Sequence, residues 1–212
     1  MTGRVDRARR SRAVLIDAAA AALVDGKGAF EIQDVARRAQ VSVGLAYHRF
    51  GSKAGLIAAV VDHFYDELER AIDLGDFGEE DWTVRERERL SRLVRFLYGH
   101  DLATIVFSTL TREPQVAVVE AERWRDLIDA AARNLRGGQS RGEISRRHDP
   151  GVTGAMILGA VRHAVGHALA AKPRPTAAAL TTELWTFIAR GLGLEPAVVV
   201  PIRRRRRTGA GS

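Results

Sequence analysis

Tyr47, His48, Arg49 and Lys53 bring a phenol, an imidazole, a guanidinium and an ammonium together in one short stretch. Such a set donates hydrogen bonds to phosphate oxygens and to the edges of bases, and Arg and Lys add charge that displaces counterions from a polyanion. Val43, Gly44, Tyr47 and His48 share one face through i, i+4 pairing, while Ala46 and Phe50 form a second pair suited to packing inward. Gly44 lets a duplex approach closely. Ser42 is placed to cap the helix that carries this face, its hydroxyl accepting from an amide of the first turn. Lys53 opens the next helix, where first-turn amides also favour a phosphate. Arg9, Arg10 and Arg12 add a basic arm upstream, with Arg12 the candidate for a further phosphate contact.

Groups for covalent or metal chemistry are sparse. The chain has no cysteine, which removes disulfides, thiolate metal sites and thiol nucleophiles. No GxSxG, P-loop or GxGxxG pattern occurs, and the GGQSRG run at 137–142 lacks the strand that a phosphate-binding loop would follow. His163 and His167 stand at i, i+4, but no acidic residue in the HExxH sense and no third ligand accompany them, so neither metal nor cofactor is expected. An all-helical enzyme is accordingly the weaker reading.

The elements that position these residues are helical throughout. Apolar residues recur at three- and four-residue steps, and no β-alternating run stands out, so the spacing predicts an all-α fold of about nine helices. Leu15, Ala18, Ala19, Ala22 and Leu23 line one face of a first helix over 11–25. Ile32, Val35, Ala36 and Ala39 mark a second, a short turn follows, and a third runs from Ser42 to Phe50-Gly51. Two short helices joined by a tight turn and packed on a longer one form a helix-turn-helix. Ser52 starts a long fourth helix reaching about position 74. Further helices are expected near 83–98, 101–110, 114–136, 150–171 and 176–191, with breaks at Gly137-Gly138 and at 172–175. Trp82 and Thr83 are expected to anchor the linker before the fifth helix.

Charge is divided unevenly along the chain. Lys+Arg number 33 against 26 Asp+Glu, for a net +7, and only Lys27, Lys53 and Lys172 are lysines. Residues 1–55 are basic, residues 203–207 are five consecutive arginines, and the body between is net acidic. This layout suits a molecule that presents one end to a polyanion. The predicted organisation is a helix-turn-helix DNA-binding domain at 1–55, a helical domain at 56–195, with a linker near 75–81, and a basic, disordered tail at 196–212, and the family resemblance given next implies that 56–195 is regulatory and dimerising. Asp17 interrupts the apolar run near the N-terminus and no stretch is long enough to span a bilayer, so a soluble, cytoplasmic protein without membrane contact is expected.

The stretch DVARRAQVSVGLAYHRFGSKAGL at 34–56 resembles the DNA-binding signature of TetR-family transcriptional regulators, and the first helix fits the same family. Ala39, Val41, Ser42, Gly44, Tyr47, Phe50, Ser52, Lys53 and Leu56 stand where that pattern expects them. The chain departs from it at Gln40, which replaces a turn glycine, at Glu31 in place of a capping Thr, and at Leu45 and Ala46. A Glu31 carboxylate would face phosphates unless turned toward helix amides. The resemblance implies a homodimeric repressor that binds a palindromic operator in double-stranded DNA and responds to a small molecule. Candidate effector contacts in the body are Phe107, Trp124, Met156 and Arg162, and the apolar helix faces favour a hydrophobic or amphipathic ligand. The small-residue stripe containing Ala155, Gly159, His163 and Gly166, together with Leu184 and Phe187, is the candidate dimer interface. A nonspecific chromosome-associated protein acting through the arginine run is the alternative.

Overall fold

The computed structural model describes the backbone of residues 2–73, 81–108 and 114–194, with side chains from residue 11 onward, Ser108 excepted. Among these residues the chain forms nine helices and no strand: α1 Thr2–Asp25, α2 Ile32–Arg38, α3 Val43–Phe50, α4 Lys53–Ile72, α5 Trp82–Gly99, α6 Leu102–Ser108, α7 Pro114–Ser140, α8 Pro150–Ala170 and α9 Ala177–Leu192. Most of the expected linker and the whole basic tail lie outside the described residues, as do the side chains of Arg9 and Arg10. No described helix is long and apolar enough to cross a membrane.

Side-chain caps set several helix starts. The Leu45 amide donates to Ser42 Oγ at 3.2 Å and the Gly55 amide to Ser52 Oγ at 2.9 Å. Asp81, Asp149 and Thr176 cap α5, α8 and α9 in the same way. Each cap satisfies an amide that the helix itself cannot pair. Gln40, in the turn between α2 and α3, has φ +54°, so a non-glycine residue does occupy the left-handed region there.

The N-terminal head packs α1, α2 and α3 around α4. Leu15, Leu23, Val35, Ala46, Leu56 and Val60 are almost completely buried, and the core continues from them without interruption into the body. There α7 lies between α4 and α8, and α5 packs against both α4 and α9.

Local propensity misleads at two places. α1 starts at Thr2 rather than near position 11, because the arginine-rich segment is a competent helix former. Gly137 and Gly138 do not end α7. Gly138 is buried within the helix, where a Cβ would stand 2.9 Å from Ile144 Cγ1 and 3.0 Å from Trp82 Cδ1, so glycine is used for close packing rather than termination. Trp82, expected to anchor the linker, is 2% exposed at the start of α5 and packs into the core.

Candidate nucleic-acid interface and the cavity behind it

The α3 helix buries Ala46 completely and turns Gly44, Tyr47, His48 and Arg49 to solvent. Tyr47 is 45% exposed, and the three polar side chains make no hydrogen bond or ion pair among the described residues. Val43 and Phe50 are half-buried against the core and fix the helix from beneath. Ser42 spends its hydroxyl on the cap, so it positions the helix. The Arg12 guanidinium lies 5.8 Å from the centroid of the Phe50 ring, which ties α1 to the last residue of α3.

Lys53 is held at the edge of this face by two contacts. Its ammonium lies 5.2 Å from the Phe30 ring centroid and 3.8 Å from Glu31 Oε1. Glu31 makes no capping bond to α2. The carboxylate therefore turns to Lys53 and not to helix amides as expected from the sequence.

A close contact that the sequence reading missed joins α3 to α4. A Cβ on Gly55 would come within 2.2 Å of the Phe50 carbonyl oxygen, a separation no side chain can occupy. Ser52, beside it, also donates to Gln115 Oε1 at 3.2 Å, which links the cap of α4 to the first turn of α7.

Further links run along the α4–α7 contact. The buried Glu120 accepts from the Tyr65 hydroxyl at 3.3 Å and lies 3.4 Å from Arg162 Nη2. Burial, reinforced by the Glu120 charge, holds the Tyr65 phenol protonated well above its ordinary range. One turn along α7, Arg123 bonds Asp62 Oδ1 at 2.7 Å, bonds Asp66, and lies 3.4 Å from Glu69. Burial opposes the Arg123 charge, but the bonds to Asp62 and Asp66 outweigh it and raise its pKa. The signal for this clamp was present in the sequence, since residues 62, 66 and 69 place three acids on one helical face.

Arg162 also brings two of the expected effector residues together, its guanidinium lying 5.7 Å from the Phe107 ring centroid and 5.1 Å from that of Trp124. Met156 does not join them. It is 68% exposed on the outer face of α8, because the inward side of that helix is formed by Gly154, Ile157, Val161 and Val165. A cavity of about 490 Å³ lies farther along the body between α5, α7, α8, α9 and the end of α4. Its wall includes Trp82, Leu90, Leu127, Ile157, Val161 and Trp185. Neither Phe107, Trp124 nor Arg162 lines it.

Along the small-residue stripe of α8, His163 is exposed, and Ala155, Gly159 and Gly166 are partly so. Phe187 of α9 is 64% exposed, and Val152 joins Met156 in an apolar outer surface. Leu184 is buried in the core at 5% exposure, since it lies on the side of α9 turned toward the body, and it cannot form part of a surface contact. His163 and His167 point outward, and no metal-binding cluster occurs among the described residues.

A capped helix with a polar exposed face, set on an all-helical body with a mostly apolar, partly open cavity, defines a two-part helix-turn-helix architecture. Residues 15–60 match the family model described as bacterial regulatory proteins, tetR family. Over these residues the head of the chain is similar to that family's DNA-binding domain. The chain is 30% identical over 157 residues to the A-factor receptor protein of Streptomyces griseus, a match covering 71% of this chain and 54% of the relative, so the chain spans about half of that relative's length. Its fold is that of a TetR-family regulator from Rhodococcus sp., with TM-score 0.71, 23% identity and coverage of 87% of this chain and 99% of the other. It also matches FadR of Bacillus subtilis, solved with stearoyl-CoA, at TM-score 0.68 and 18% identity, covering 84% of this chain and 97% of the other.

Proposed function

We propose that the chain is a homodimeric, ligand-responsive repressor of transcription that binds a palindromic site in double-stranded DNA. The observation that carries this reading is the α3 face, where Gly44, Tyr47, His48 and Arg49 are exposed on a helix fixed by a cap and a buried alanine. In this reading Tyr47, His48 and Arg49 meet bases and phosphates, Lys53 and Arg12 hold the backbone, and Ser42 and Val43 orient the helix. The division at 55/56 separates the reading head from a regulatory body, although α4 runs through it. The protein acts in the cytoplasm, not as an enzyme.

Two half-sites one helical turn apart require two copies of the reading helix. The outer surface with Val152, Met156 and Phe187 supports a paired α8–α9 contact, with Gly159 and His163 at its centre. A cavity of about 490 Å³ with a mainly apolar wall suits a small hydrophobic or amphipathic molecule. The receptor name of the Streptomyces relative and the stearoyl-CoA held by FadR support a ligand for this chain too. A ligand against α7 displaces that helix, and α7 holds α4 through Gln115, Glu120 and Arg123. The displacement reaches Lys53 and changes the separation of the two reading helices.

The test is selection of bound duplexes from a random DNA pool near physiological salt, with the full chain and with a form lacking residues 203–212. Enrichment of a palindrome by both is expected. No enrichment, or retention that disappears with the arginine run, would replace this reading with sequence-independent binding through the tail.

A further inference from the structure

We propose that α1 continues past the reading helix as an arginine-bearing arm that lies on the phosphate backbone flanking each half-site, so that the protein holds about four base pairs of duplex on either side of the sequence it reads. This deepens the DNA-binding reading of the head and rests on it.

α1 is one unbroken helix of 24 residues, Thr2–Asp25. Its C-terminal half faces the body, where Asp17, Ala21 and Val24 line a groove shared with Glu67 of α4 and with His100 and Leu102 at the α5–α6 turn. Its middle reaches α3, where the Arg12 guanidinium lies against the ring of Phe50, the last residue of that helix. Followed backward from Asp25, α1 therefore leads from the body to the reading helix, and residues 2–11 continue in the same direction for about 15 Å. With α3 in a major groove about 12 Å wide, an extension of that length from the end of α3 meets the sugar-phosphate strand that borders the groove. At about 3.4 Å per base pair it spans roughly four pairs beyond the half-site.

The residues of the arm suit a polyanion. Positions 2–12 hold Arg4, Arg7, Arg9, Arg10 and Arg12 against Asp6 alone, and apart from Gly3 their apolar members are Val5 and Ala8. So little apolar surface cannot attach the segment to a protein core. The first turn of α1 contains no acid, although the positive end of a helix dipole disfavours cations, and arginines three positions apart repel one another. A row of phosphates relieves both conflicts, since a duplex carries one negative charge per about 1.7 Å of its axis. At about 100° per residue the five arginine positions are distributed round the helix, so whichever side is laid on the duplex carries one. Phosphate contacts fix orientation without reading bases, so the arm lengthens the footprint and leaves the palindrome unchanged.

The test compares the full chain with a quadruple variant, Arg4→Gln, Arg7→Gln, Arg9→Gln and Arg10→Gln, and with its counterpart carrying lysine at the same four positions. Each is titrated onto the selected palindrome with long flanks and with the flanks removed, by fluorescence anisotropy from roughly 50 to 200 mM salt. On the flanked duplex the glutamine variant is expected to bind at least about tenfold more weakly near 0.1 M salt. Its slope of log affinity against log salt should fall by about 2–4, the loss of one or two phosphates per subunit at about 0.9 each. The lysine variant should keep the slope, because the charge is retained. Removing the flanks should cost the parent about tenfold and the glutamine variant about twofold at most. A glutamine variant equal to the parent in affinity and slope, an equal loss from both on removal of the flanks, or a changed palindrome would overturn the proposal. A parent indifferent to its flanks overturns it with no variant needed. Duplex selection on the same preparation separates the two readings. An enriched palindrome without flank dependence defeats this inference alone, and absence of an enriched palindrome defeats the regulator reading while the slope difference on an arbitrary duplex still reports the arm.

Discussion

Replacing Glu31 with glutamine is expected to tighten duplex binding. Glu31 Oε1 lies 3.8 Å from Lys53 Nζ, and the two side chains are 77% and 41% exposed. An exposed pair of this kind contributes only about 0–1 kcal/mol to folding, so the denaturation midpoint should scarcely move. On the duplex the carboxylate stays beside the phosphate that Lys53 engages. Like charges roughly 5 Å apart repel by about 0.8 kcal/mol in a water-like medium, and by about 0.5 kcal/mol once salt near 0.1 M screens them. Removing the charge should therefore raise affinity about two- to fourfold. It also frees Lys53 to displace a counterion fully, so the slope of log affinity against log salt should steepen by up to about 0.9. The advantage of the variant then shrinks about threefold between roughly 50 and 200 mM salt. Fluorescence anisotropy with the selected duplex across that range measures both quantities. A variant that binds more weakly than the parent, or equally at every salt concentration, would refute the placement of α4 against the backbone.

Gly55→Ala should destabilise the fold by about 2–4 kcal/mol in urea denaturation, because its Cβ would be forced to 2.2 Å from the Phe50 oxygen; an unchanged midpoint would mean that the α3–α4 junction yields freely. Met156→Glu combined with Phe187→Glu should convert a dimer to a monomer in sedimentation velocity without loss of helical signal, since both side chains are exposed; a surviving dimer would place the interface elsewhere. Tyr65 has a folded pKa raised above its ordinary 10.0, first by burial and then by Glu120. Its contribution to stability is therefore intact below about pH 10 and is lost as the pH rises further, because the unfolded phenol ionises first. Denaturation midpoints measured from roughly pH 8 to 11 should fall at the alkaline end, and less steeply in Tyr65→Phe.

The head was legible because its signals are local. Ser42 and Ser52 cap the helices that follow them, Ala46 repeats the inward face of α3, and Gln40 occupies the left-handed turn that its position suggested. The body was less so. α8 is apolar or small nearly all the way round, so periodicity could not tell which side meets the core, and Met156 was set inside when it lies outside. Leu184 was assigned to a surface that its α9 register turns away from. The diglycine at 137–138 has the local character of a helix end, and only the distant Trp82 shows why a helix passes through it. Glu31 and Lys53 are far apart in sequence, and their pairing depends on how α2 meets α4. Gln115 and Arg123 likewise acquire their roles only when α7 is laid along α4.

The Gly55 contact makes the start of α4 a joint without play. With the Phe50 carbonyl seated against a glycine and Ser52 closing the first turn, α3 has little freedom to lag behind when α4 tilts. The 20-residue α4 is a rod about 30 Å long. A tilt of about 5° at its body end displaces the other end by roughly 2.6 Å. Two copies moving in opposite senses would change their spacing by about 5 Å, a substantial fraction of a half-turn of the groove they must span. A longer side chain at position 55 would require a looser joint, and part of each tilt would then be absorbed before it reached the duplex.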